Sequence, residues 1–259
     1  MTESDAALLA MLPALVFQAA MLFCRLGAAV MLLPGLGEAE VPATIRLSLG
    51  LLLTLLLLPL LAPTLPTMPE APAEVLRLLA LELLVGLWLG GLARALMLAL
   101  AQAGQVMGSM IGLTTPLQGD AGLGAQSTAL GRFLGFAATV LVLATGLYAL
   151  PLGALVASYA VLPPGQPFPA GMAAEAVAAV VGESLSLALR LAAPFILAGV
   201  LFNAGMGLIA RVAPQVQVFV VAAPAQILAG LGLLLLLLPA ILTLWHGGMA
   251  RGFGALPGH

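Results

Sequence analysis

LELLVGLWLGGLARALMLALAQAGQVMGSMIGL, residues 81–113, has two charges, Glu82 and Arg94, and no proline. A membrane crossing needs about 20 mostly apolar residues in a helix, and this stretch supplies them. Its glycines recur at a spacing of four: Gly86 and Gly90, then Gly104, Gly108 and Gly112. That spacing puts them on one helix face, where a missing side chain lets another backbone come close. Gly131 and Gly135 repeat the pattern further on. The stretch therefore predicts a membrane helix built to pack tightly, within this chain or against other subunits.

The rest of the chain agrees. Hydrophobic residues make up 63% of it and charged residues 7%. Soluble domains carry about 25% charged residues, so this composition cannot build a soluble surface. The eight basic residues are all arginine, and the formal charge of −2 gives no reason to expect nucleic acid. Six apolar segments are long enough to cross a bilayer: about 6–33, 43–62, 75–101, 129–162, 174–202 and 216–245. The runs from Phe133 to Ala174 and from Val212 to Trp245 hold no charge at all. Runs that long predict tilted or broken helices, or hairpins sharing one run. The fold class is all-α: membrane-associated helical hairpins with about six long apolar helices, some broken or not fully spanning.

Proline and glycine punctuate the segments. PGLGEAEVP (34–42), PTLPTMPEAP (63–72), PPGQPFPAG (163–171) and RVAPQ (211–215) fall between them. Pro214 has no amide hydrogen and disfavours a helical Ala213, so a helix should end near Arg211 and the next begin near Val216. The N-terminus, Met-Thr-Glu-Ser-Asp, is acidic where a signal peptide would be basic, so the first apolar segment is expected to be retained.

Chemistry is sparse. Cys24 is the only cysteine, and His246 and His259 are the only histidines, so no metal site is expected. No Ser/His/Asp arrangement and no H-E-x-x-H occurs, and without lysine there is no phosphate loop. Neither an enzyme nor a cofactor is expected. Arg25 interrupts the first apolar segment. A charge there must face protein or water, as a structural ion pair, a helix-end contact or part of a transport path. Glu82 and Arg94 stand twelve residues apart, too far to pair along one helix.

One segment is specific. NAGMGLIARVAPQVQVFVVAAP (203–224) resembles the signature of the family of flagellar biosynthetic protein FliR and its type III secretion counterparts. It carries Gly207, Arg211, Ala213, Pro214, Gln215, Phe219 and Pro224. RLGAAVMLLPGLGEAEVPATIRLSLGLLLTLLLLP (25–59) is similar to the family's opening, with Arg25, Pro34, Pro42 and Arg46. The 81–113 stretch matches its Glu-x-x-x-Gly-x-x-x-Gly helix through Glu82, Gly86 and Gly90. SYAVLPPGQP (158–167) matches a Ser-x-x-x-x-Pro-x-Gly turn. Three positions depart from the family pattern: Gly146–Tyr148 replace Asn-His, Gly119–Asp120 replace Asp-Pro, and Gln217 replaces Asn.

The resemblance implies a structural subunit of the flagellar type III protein export gate, which encloses a pore for unfolded substrates. It implies FliP-like and FliQ-like partner subunits, with a FlhB-like subunit besides. It implies a multi-pass protein of the bacterial inner membrane at the flagellar basal body. It divides the chain into a FliP-like part, 1–171, and a FliQ-like C-terminal hairpin, 172–259. The segment at about 108–126 corresponds to the family's plug loop, shaped by Gly108, Gly112, Pro116, Gly119, Asp120, Gly122 and Gly124. An injectisome gate subunit of the same family and a small-solute transporter are the alternatives.

Overall fold

The computed structural model describes residues 3–38, 40–113, 128–212 and 218–257, and those residues contain helices and no strand. Seven α-helices follow in order: α1 (Glu3–Val30), α2 (Ala43–Leu61), α3 (Pro72–Met110), α4 (Ala129–Thr145), α5 (Ala149–Val161), α6 (Ala170–Val212) and α7 (Val218–Gly254). Five stretches are long and apolar enough to cross a membrane, and the α4–α5 pair makes a sixth if it is one span. The break in that pair bends the chain by 71°. Gly146, at φ +75, lies in the break. Only glycine adopts that conformation without strain, so the helix stops there although the run is apolar throughout.

The boundaries differ from the sequence expectation in an orderly way. α3 begins at Pro72, a residue whose missing amide costs nothing at a helix start. It continues to Met110, nine residues past the expected end at 101. Residues 102–110 are rich in Gly, Gln and Ser and have poor intrinsic helix propensity. Tertiary contacts override that weak preference. α6 runs to Val212, close to the expected end at Arg211, and extends over 43 residues.

The chain forms two compact units. The first comprises Met1–Ala95, Val142–Val180 and Gly252–His259; the second comprises Leu96–Leu141 and Val181–Arg251. In the first unit α1 is the central element, with Met21, Leu22, Leu26 and Ala29 wholly buried. α2 crosses α1 where glycine meets glycine: a side chain added at Gly50 would lie 3.3 Å from Gly27 Cα. α3 packs on α1 in the same manner. Methyl groups at Gly86 and Gly90 would overlap the carbonyl oxygens of Arg25 and Ala29, one helical turn apart.

In the second unit, α3 residues beyond Ala95 pack on the start of α4, and Gly104 approaches Gly131 closely enough that an added Cβ would lie 2.8 Å from its Cα. α6 and α7 touch where Gly248 receives the side chain of Leu187. Leucine-rich faces of α2, α6 and α7 stay exposed, among them Leu55, Leu56, Leu201 and Leu235. Such faces suit hydrocarbon or other apolar helices rather than water.

Candidate functional sites

The first cluster forms around Arg25, which is 1% exposed. The close α1–α3 approach at Gly86 brings the guanidinium to Glu82, one turn earlier on α3. Nε donates to Glu82 Oε2 at 2.6 Å, and an Nη donates to Oε1 at 3.1 Å. That bidentate pair is the strong form of an ion pair. The same Nη donates to the carbonyl of Leu162 at 3.0 Å, and the other Nη donates to Ser158 Oγ at 3.3 Å. The Tyr159 ring covers the guanidinium carbon at 4.2 Å. Arg25 thus ties α1, α3 and the end of α5 together. The guanidinium, the Glu82 carboxylate and the Ser158 hydroxyl are all hydrogen-bonded here, while the buried Tyr159 hydroxyl has no partner among the described residues.

Nearby contacts extend this anchoring. Trp88 Nε1 donates to the carbonyl of Ala173 at 3.3 Å, and its ring meets Phe168 edge-on at 5.9 Å. Arg94 pairs with Glu38 at 3.3 Å, in the turn after α1. Pro34 is buried in that same turn. Pro42 caps α2, and its carbonyl accepts the amides of Ile45 and Arg46. Arg46 is half-buried, and its Nε has no partner among the described residues.

The second cluster lies where α3 ends and α4 begins, at the two sides of the glycine-rich segment. Thr128 is the N-cap of α4: its Oγ1 accepts the amide of Gly131, the third residue of the helix, at 3.0 Å. The same hydroxyl donates to the carbonyl of Gly104 at 3.3 Å. The Thr128 amide donates to Gln105 Oε1. Gly108 leaves room for Thr128, whose Oγ1 would lie 2.7 Å from an added Cβ. Two neutral hydrogen bonds and two glycine contacts therefore clasp residues 104–108 to residues 128–131.

α3 itself closes with a Schellman motif. Gly112, at φ +79, is the left-handed residue. The Leu113 amide reaches Gly108 O at 2.9 Å and the Gly112 amide reaches Ser109 O at 3.4 Å. Gly108 and Gly112 therefore serve a helix end and its clasp. Pro116, Gly119, Asp120, Gly122 and Gly124 lie outside the described residues, as do Ala213, Pro214 and Gln215. Arg211 is exposed in the last turn of α6, where a cation suits the negative end of the helix. Phe219 belongs to the first turn of α7, and Pro224 lies within that helix.

Among the described residues, no cluster of three or more His, Cys, Asp or Glu could hold a metal ion. What the chain offers is a scaffold: one charged knot, one neutral clasp and long apolar helices with uncovered faces. Residues 16–252 match the family model described as Bacterial export proteins, family 1.

The chain belongs to that family. Bacterial export family 1 proteins similar to it include the flagellar biosynthetic protein FliR of Caulobacter vibrioides, 36% identical over 230 residues. That alignment covers 89% of this chain and 92% of the relative. The FliR of Pectobacterium carotovorum is 31% identical over 85% of this chain and 83% of its own length. The FliR of Bacillus subtilis is 28% identical, covering 80% of each. The match spans both compact units, so the charged knot and the neutral clasp both fall within the family's extent. The Arg25–Glu82 pairing was not foreseen from sequence. The arginine of one apolar segment and the glutamate of another, each unpartnered locally, were the available signal.

Proposed function

We propose that this chain is a structural subunit of the flagellar type III protein export gate in the bacterial inner membrane. The observation that carries the reading is the family match over residues 16–252, with similar relatives named as flagellar biosynthetic proteins. Uncovered apolar faces on α2, α6 and α7 support a protein that works inside an assembly. FliP-like and FliQ-like subunits, with a FlhB-like subunit, are the partners this reading requires, and unfolded proteins are its substrates. Residues 1–171 would correspond to the FliP-like part and 172–259 to the FliQ-like hairpin.

In this reading the glycine-rich segment at about 108–126 fills the closed pore. Its support is positional. A stretch with six glycines between 104 and 128 starts and ends in the neutral clasp, which fixes both of its ends to the scaffold. Irregular backbone at membrane depth is tolerated only when buried in protein or lining a water-filled cavity. The experiment is complementation. Cells lacking the chain should fail to export flagellar substrates, and restoring it should restore export. Removing Leu117–Gly124 should leave export and assembly intact while the membrane becomes leaky to small ions. Normal export without the chain would overturn the gate assignment. An assembled deletion complex with wild-type conductance would overturn the plug.

A further inference from the structure

The end of α3 carries an attachment that the Schellman motif does not explain. A helix C-terminus leaves carbonyl groups without helical donors. The motif satisfies Gly108 O and Ser109 O, and Met110 O lies beyond its reach. Gln226 of α7 supplies the missing donor: Nε2 donates to Met110 O at 2.9 Å. Between Val218 and Leu242, Gln226 is the only residue with a polar side chain. An amide placed in so apolar a run loses hydration that only a hydrogen bond can offset.

The surroundings are shaped for this contact, all within the second unit. Gly230, one turn after Gln226, leaves the space occupied by the Ile111 side chain. Gly199 of α6 leaves the space beside Met110, whose carbonyl oxygen would lie 3.1 Å from an added Cβ. Gly112 itself faces the Gln226 carboxamide, with the nearest atom 3.7 Å from an added Cβ. The tip of α3 sits in a notch made by two glycines and one amide of the last two helices.

We propose that Gln226 is a positioning residue that fixes the exit of the chain from α3 against α7, so that displacement of α7 is passed to the start of the glycine-rich segment. The link to pore closure rests on the function proposed above. Gln226 touches no substrate; it acts through the carbonyl of Met110.

The test uses the complete gate complex, with amide hydrogen exchange and ion conductance read together. Gln226→Leu keeps the volume and removes the donor. Exchange at the amides of residues 111–113 should then quicken about fivefold to tenfold, the effect of one neutral hydrogen bond. Gln226→Lys keeps a donor suited to a helix C-terminus and should restore protection. Conductance should rise in Gln226→Leu, and the same substitution should add nothing once Leu117–Gly124 is deleted. Unchanged exchange in Gln226→Leu would overturn the proposal. So would extra leak in the deletion background, which would mark general disorder, or changed exchange without leak where the deletion itself leaks. If the deletion does not leak, the closing role fails, and the exchange result alone decides whether Gln226 fixes the exit.

Discussion

α3 uses one device twice and secures it in two different ways. Gly86 and Gly90 admit the backbone of α1; Gly104 and Gly108 admit the start of α4. The first contact is locked by a bidentate ion pair with both side chains almost wholly buried. The second is held by neutral hydrogen bonds around Thr128. The energies separate the two. Removing one member of a buried ion pair leaves the other charge uncompensated, at a cost of about 3–5 kcal/mol. Losing one neutral bond or one helix cap costs about 1 kcal/mol. Glycine spacing thus sets where helices meet, and the chemistry beside it sets how firmly. The α1–α3 contact is therefore the costlier of the two to break, and the clasp beside the glycine-rich segment the cheaper.

The largest expected effect tests the knot. Glu82→Ala and Arg25→Ala should each destabilise the first unit by about 3–5 kcal/mol. Replacing both with apolar residues of similar volume, Arg25→Met with Glu82→Leu, should recover much of that loss, because a buried pair is often no better than well-packed hydrophobes. Thermal denaturation of the purified complex, read as a double-mutant cycle, measures the coupling. Additive losses would mean that the two charges do not act as a pair.

The next effect compares the glycine contacts themselves. Gly86→Ala must displace the Arg25 backbone, and Gly104→Ala must displace Gly131. Each should cost about 1–3 kcal/mol, the usual range for overpacking. Gly182 and Gly247 also lie in helices but have open space around the missing side chain. Alanine there should be neutral or mildly stabilising, since glycine is the poorer helix former by about 1 kcal/mol. Melting temperatures of the four variants should sort by contact; equal losses at all four would make helix propensity the deciding factor instead.

Much of this was legible in the sequence, and the reasons differ by residue. Pro42, Pro72 and the Pro163–Pro169 run mark helix boundaries through proline's fixed torsion, a local effect. Glycines four apart announced close packing, again from local periodicity. Which helix each glycine face meets was not legible. Gly27 with Gly50, and Arg25 with Glu82, join residues far apart in the chain, and periodicity carries no information on such pairs. The apolar segment was bounded at 101 by hydropathy, although the spacing of Gly104 and Gly108 already placed them on a helix face, and α3 runs on to Met110. The left-handed glycine at 112 was the signal that could have placed that end.

The smallest effect probes the clasp. Thr128→Ala removes the α4 cap and the bond to Gly104, and should cost about 1 kcal/mol in stability. Thr128→Ser keeps the hydroxyl and should cost only a few tenths of that range. The discriminating readout is ion leak through the assembled gate. Leak in Thr128→Ala without leak in Glu82→Ala would confirm that the two contacts do different work. Leak in both at equal level would erase the distinction drawn between knot and clasp.

The central claim is that this chain works only as part of a hetero-oligomeric gate, and co-expression tests it most directly. The chain should be purified in detergent alone and together with the FliP-like and FliQ-like subunits proposed as its partners, and its oligomeric state and conductance measured. The account predicts an ill-defined or aggregated chain alone and a monodisperse complex with those subunits. A monodisperse homo-oligomer that conducts selectively without any partner would contradict it.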